Sequence, residues 1–250
     1  MISIEELKEY AKIKAFNLRQ AEKDYFQNLI LFILYQHFGK DLIFKGGTAL
    51  SKCYGSRRFS EDLDFTCLND FDTDIVTRGL ERFKIEFEKD IKKTKTSLNL
   101  ILRIKGPLYI GTRQSLCKLR IDISFREKIL LPPKIKTIGR FMEEIPEFDV
   151  LVMCEEEILA EKIRAILTRV KARDVYDLWF LLKQEIKPDL SLIKKKLRFY
   201  RMHWDKKKFV KAINTCSKIW KTELEPLLKD IPEFDEVRKL IFENFKITAT

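Results

Sequence analysis

Apolar positions change their period along this chain. Leu98, Leu100, Leu102 and Ile104 alternate with polar neighbours, and so do Leu119, Ile121, Ile123 and Phe125, between which stand Arg120, Asp122 and Ser124. A period of two is that of a strand with one buried face, so strands are predicted over 97–105 and 118–125. Shorter strands are predicted over 42–45, 62–67 and 148–153. Ser3 and Glu6 form a capping box that opens an N-terminal helix. Helical patterns follow over 19–38, ended by Gly39, then over 48–53 and 74–93. From Glu155 to about Phe245 the texture is helical throughout, punctuated by Pro188, Pro226 and Pro232. The pattern predicts an α+β chain with a mixed half, residues 1–153, and a helical half, residues 154–250.

The chemistry-bearing residues fall on the predicted strands. Asp62 and Asp64 are two apart on one strand, so both side chains leave the same face. Such carboxylates repel unless a cation sits between them. Asp and Glu supply 38 of 250 residues, so this spacing alone is a weak signal. What strengthens it is Gly46-Gly47, which follows a strand and opens a helix. Backbone N–H groups there, with the Thr48 hydroxyl, suit a phosphate. The glycines do not form a P-loop, because the Gly-Lys-Ser/Thr ending is missing. Asp122 lies mid-strand between two isoleucines. If its strand neighbours the other, three carboxylates converge, two for a divalent metal and one for the proton of an attacking hydroxyl; otherwise Asp122 is an ordinary residue of a solvated face. Asp70, Asp72 and Asp74 mimic a calcium loop, but Ile75 occupies its glycine position, so Asp72 or Asp74 is expected to cap a helix.

In the helical half, Lys162 falls inside the apolar stripe of Ile158, Leu159, Ile163, Ile166 and Val170. It must snorkel, pair or face a cleft. Asp174 and Asp177 stand three apart at the head of an apolar helix, where they either cap it or gather cations such as Lys162 or Arg164.

Net charge is +11, which favours polyanionic partners and argues against cationic small-molecule substrates. Lys194, Lys195, Lys196, Arg198, Arg201, Lys206, Lys207, Lys208 and Lys211 meet one acid, Asp205, with Phe199, Tyr200 and Trp204 interleaved. That combination fits RNA, or else a solvated helix face. Five cysteines without a C-x-x-C pair read as reduced thiols of a cytoplasmic protein. No apolar run reaches membrane-spanning length. Two distant histidines give no support to zinc chemistry or a Ser-His-Asp triad, and the absence of G-x-G-x-x-G gives none to a dinucleotide fold.

Three stretches in order resemble the AbiEii/AbiGii-type toxin nucleotidyltransferases: Lys45-Gly46-Gly47-Thr48-Ala49-Leu50, then Arg58-Phe59-Ser60-Glu61-Asp62-Leu63-Asp64-Phe65, then 156–165 with 172–178. The resemblance implies a DNA polymerase β-like nucleotidyltransferase palm, a mixed sheet with flanking helices, followed by a helical domain contributing to the nucleotide cleft. It implies that Gly46, Gly47, Thr48 and Lys52 touch a nucleoside triphosphate and that Asp62 and Asp64 hold Mg2+ or Mn2+, with Asp122 as a provisional third ligand. Lys162 is implied near the triphosphate, Asp174 and Asp177 match a later motif, and Ser60 aligns with a serine that is modified in some relatives. The implied reaction moves a nucleoside monophosphate to an acceptor hydroxyl, best an RNA (tRNA) 3′ end, with no DNA specificity and an antitoxin as partner. Alternatives are a protein or small-molecule acceptor, or a non-catalytic palm that binds RNA or a partner.

Overall fold

Seven strands form one mixed sheet, described with the rest of the chain by a computed structural model covering residues 1–141 and 144–247. They are β1 (Leu42–Lys45), β2 (Leu63–Cys67), β3 (Phe87–Lys93), β4 (Ser97–Ile104), β5 (Cys117–Ser124), β6 (Lys134–Ile138) and β7 (Phe148–Val152), in the order β3-β4-β5-β2-β1-β7-β6. The β1–β2, β3–β4, β4–β5 and β6–β7 pairs are antiparallel, and the two joins on either side of the β1–β2 pair, β2–β5 and β1–β7, are parallel. The helices of this part are α1 (Ile4–Lys14), α2 (Leu18–Tyr35), α3 (Gly46–Tyr54) and α4 (Asp74–Arg82).

The predicted alternation sets the register. Leu63↔Ile121 and Phe65↔Ile123 pair on one sheet face, and Leu98, Leu100, Leu102 and Ile104 of β4 join them in burial. Helix α2 covers this face with Tyr25, Phe26, Leu29, Ile30 and Ile33. The β1–β7 join has one register pair, Phe44↔Val152, and Tyr35 reinforces it. Its hydroxyl donates to the Leu151 carbonyl at 2.8 Å and accepts the Phe44 N–H at 3.1 Å. The opposite sheet face carries the polar positions.

The helical elements are α5 (Glu155–Thr168), α6 (Ala172–Lys183), α7 (Leu190–Arg198), α8 (Lys206–Cys216), α9 (Trp220–Leu224) and α10 (Phe234–Asn244). The chain divides into two compact units: residues 1–53, 61–128 and 133–152, and residues 54–60, 129–132 and 153 onward. The first is the palm with its flanking helices and the second is helical, so the fold class is α+β as the sequence predicts.

Two local expectations fail. The helix predicted over 74–93 stops at Arg82, and β3 follows. Lys84 adopts φ 56°, which breaks the helix, and six of the seven β3 residues are exposed. A strand held by backbone pairing to β4, with no buried face, has no apolar period to read. Strand β6 was not predicted at all, for the same reason. The Ser3–Glu6 capping box is present, and Asp72 accepts the Asp74 N–H at 2.8 Å at the head of α4.

Gly79 of α4 meets α2 closely. A Cβ there would lie 2.4 Å from Ile33 Cγ2, and Ile33 is 2% exposed, with little room to move. Alanine gains about 1 kcal/mol of helix propensity over glycine, but overpacking costs about 1–3 kcal/mol. Gly79→Ala is therefore expected to lower the urea midpoint with an unchanged m-value; a raised midpoint would show that α2 and α4 are not so tightly packed.

Candidate active site

The palm's polar corner begins where β1 runs into α3. Gly46 sits at φ +77°, and a Cβ there would lie 2.4 Å from Asp64 Oδ2. The Asp64 carboxylate therefore rests over Gly46, in space that only glycine leaves open. The Thr48 hydroxyl, expected at a phosphate, donates to the Asp62 carbonyl instead and ties α3 to the start of β2. Gly47 is buried. Lys52 Nζ is held at 2.7 Å from both Asp24 Oδ1 and Asn28 Oδ1 of α2.

Strand register brings the predicted acids together. Asp64 pairs with Asp122 across the parallel β2–β5 ladder, and Asp122 with Asn99 of β4. Asp62 precedes β2, one residue before the Leu63↔Ile121 pair. The Asn99 amide donates to Asp122 and orients it. Among the described residues no three His, Cys, Asp or Glu side chains converge as a metal cage. Asp122 thus neighbours Asp64 across the ladder without completing a three-carboxylate cage among the described residues. On the same face Lys118 and Arg120 are exposed, with no ion pair among the described residues.

The helical unit holds the other predicted residues in a buried charge network. Lys162, 8% exposed, lies 2.6 Å from Asp177 Oδ2 and 3.3 Å from Asp174 Oδ1. Arg58 grips Asp177 through Nε and Nη2, both at 2.9 Å, and Arg169 Nε reaches Asp174 at 2.8 Å. Burial raises both carboxyls, but the cations outweigh it: Lys162 and Arg169 hold Asp174 down at about 2, and Arg58 and Lys162 keep Asp177 below its ordinary value. Neither acid caps α6, whose N-cap is Lys171. Arg58 belongs to the short segment 54–60, which also carries the half-buried Ser60 and donates the Phe59 N–H to the Leu227 carbonyl at 2.9 Å.

The basic stretch loses part of its predicted character. Lys196 is 1% exposed and lies 2.6 Å from Glu157 and 3.0 Å from Glu161. Trp204 packs on Phe209 and Phe245, and Tyr200 lies under the Arg164 guanidinium at 4.1 Å. These aromatics serve the fold, whereas Lys194, Lys195, Arg198, Arg201, Lys206, Lys207, Lys208 and Lys211 stay exposed. Among the described residues all five cysteines are free thiols, and burial raises each one, Cys53, Cys117 and Cys216 to about 12.

Sequence reasoning missed Asn99, Arg58 as the partner of Asp177, and the buried pair of Lys45 with Glu127. A lysine closing an apolar strand beside two glycines was the available signal for Lys45. For Asn99 and Glu127 the signal is strand register, which no local pattern contains.

Because the carboxyl of Asp174 is depressed, its contribution is complete above about pH 4, where the unfolded carboxyl is ionised, and fades as pH falls toward about 2. Acid unfolding of the helical unit is expected in that window, followed by circular dichroism. Asp177→Asn leaves Arg58 and Lys162 undercompensated and is expected to cost about 3–5 kcal/mol in urea unfolding at neutral pH. Loss of under 1 kcal/mol would mean that the network is solvated.

Solved structures similar to the chain include MenT4, a nucleotidyltransferase toxin from Mycobacterium tuberculosis, at TM-score 0.68 and 21% identity, covering 100% of this chain and 91% of that one. JHP933 from Helicobacter pylori is similar at TM-score 0.64 and 22% identity, covering 91% and 90%. Both likenesses concern the fold. An uncharacterized protein of Aquifex aeolicus is 26% identical over 199 residues, 78% of this chain and 84% of that protein. The profile of the family described as nucleotidyl transferase AbiEii toxin, type IV TA system, matches residues 30–245. With that match over most of its length, the chain belongs to the AbiEii family of nucleotidyltransferase toxins.

Proposed function

We propose that the protein transfers a nucleoside monophosphate from a nucleoside triphosphate to an RNA hydroxyl, releasing pyrophosphate, with Mg2+ or Mn2+ held by Asp62 and Asp64. The observation that carries this reading is the Asp64 carboxylate lying over the positive-φ Gly46. It brings a carboxylate oxygen of the kind that suits a metal beside the backbone N–H groups of a helix N-terminus, a setting that suits a phosphate. Two carboxylates plus phosphate oxygens suit magnesium, which keeps few protein ligands, so the donor set fits the ion without a third acid. The bound metal supplies charge neutralisation on the reacting phosphate.

The chain's own groups do the rest. Gly46 and Gly47 N–H groups orient the phosphates. Thr48 holds the Asp62 backbone in place through its hydroxyl. Asp122, oriented by Asn99, accepts the proton of the attacking hydroxyl. The buried network of Lys162, Asp174, Asp177 and Arg58 fixes the segment that leads into Asp62.

An RNA acceptor is favoured by Lys118 and Arg120, exposed on the sheet face that bears the acids. They stand four and two residues before Asp122, spaced along β5 for successive phosphates of an extended strand. The family description names a toxin–antitoxin system, so a cognate antitoxin is a proposed partner and the cytoplasm, where NTPs and RNA meet, the proposed setting.

Labelled triphosphates, magnesium and total RNA are incubated with the protein. Label in RNA is the expected result; label in protein favours a protein acceptor, and no transfer to any acceptor overturns the reading. Gly46→Ala and Asp64→Asn are expected to lower transfer by about a hundredfold or more with the circular dichroism spectrum unchanged. Lys118→Ala with Arg120→Ala is expected to weaken RNA binding and to lower its salt slope by about 1.4, at roughly 0.7 per phosphate contact, without changing the KM for the triphosphate.

A further inference from the structure

The catalytic face of the sheet contains a cation of its own. Lys45 closes β1 and is 7% exposed. The antiparallel register sets it directly opposite Asp64. Residues so opposed leave the same face with Cβ atoms about 5 Å apart. Gly46, the next residue, is the one under the Asp64 carboxylate. One buried ammonium therefore stands at the edge of the aspartate pair.

Glu127 holds it there. This carboxylate, 4% exposed, is ion-paired with Lys45 Nζ, and the Thr66 hydroxyl donates to it at 3.5 Å. Thr66 lies two residues beyond Asp64 on β2, on the same face. A buried ion pair is poor value for stability alone, since an apolar pair of similar volume often does as well or better. The transfer chemistry described above uses neither Lys45 nor Glu127. Their place beside Asp64 calls for a different account.

We propose that Lys45 is the resident counter-ion of the metal aspartates, with Glu127 as the positioning residue that holds its ammonium. The proposal rests on the reading of Asp62 and Asp64 as metal ligands. In the metal-free protein the ammonium offsets the repulsion of two acids sharing one face. It also opposes a divalent cation, which must enter a site that already holds one positive charge. A triphosphate reverses that balance, because its oxygens add several negative charges to the corner. Metal and triphosphate therefore bind together, and free metal alone binds weakly.

Calorimetric titration with Mn2+, with and without inorganic triphosphate, tests this without measuring transfer. Lys45→Met combined with Glu127→Gln removes both charges and leaves neither partner stranded. This double variant is expected to bind Mn2+ alone roughly tenfold tighter than the wild type, and to gain less from triphosphate. Mn2+ binding equal to or weaker than the wild type in the double variant would overturn the proposal. Glu127→Gln alone leaves the Lys45 charge uncompensated beside the aspartates, so Mn2+ is expected to bind several-fold more weakly; it decides the matter if the double variant fails to fold, and unchanged or tighter binding there also overturns the proposal. Asp64→Asn separates the two layers. If it binds Mn2+ like the wild type, the metal reading itself falls. If it loses Mn2+ while the Lys45 variants behave like the wild type, the counter-ion idea falls alone.

Discussion

The approach of the Asp64 carboxylate to Gly46 is the constraint on which the palm's polar corner depends. A sheet face that must carry several acids needs somewhere to put their oxygens. Here the space comes from a missing Cβ and a backbone at positive φ. The strand–turn–helix path, the Thr48 bond to Asp62 and the β1–β2 register all converge on that contact. The opposite face is closed by Phe44, Leu63, Phe65, Ile121 and Ile123, whose burial anchors the strands against α2 and fixes the register that groups the charges.

Both units bury charge, yet for different ends. In the helical unit cations and acids alternate as Arg58, Asp177, Lys162, Asp174 and Arg169, so each acid is flanked by two cations and both stay ionised. That network is internally satisfied. On the palm face the half-buried Asp62, Asp64 and Asp122 share the polar side of the sheet with the buried pair of Lys45 and Glu127.

Much of this was legible in the sequence because it is local. The capping box, the alternation in β4 and β5, the glycine turn and the same-face aspartates each follow from neighbours within a few residues. Strands β3 and β6 escaped because they are exposed ladders with no apolar period. Lys162 is a visible misfit on its apolar stripe, and Asp174 and Asp177 stand at a spacing that can gather it. The pairing of Arg58 with Asp177 is not legible in the sequence, because 119 positions separate them and no period connects them. Asn99, Glu127 and the packing of Trp204 on Phe245 are likewise products of register and tertiary contact. The basic stretch shows the limit from the other side: composition counted Lys196 as surface charge, whereas Glu157 and Glu161 had already taken it inside.

The segments 54–60 and 129–132 belong to the helical unit although both lie within the first 153 residues. Glu157 shows how tightly they are woven in, since its carboxylate accepts the N–H groups of Leu130 and Leu131, each at 2.9 Å. The gene therefore has no cut that yields two self-sufficient halves. A fragment ending at residue 153 would carry the Arg58 guanidinium without Asp177, and the complementary fragment would carry Asp177 and Glu157 without the strands of chain they hold. Recombination between relatives would exchange this helical unit intact only by moving three separate stretches of sequence together.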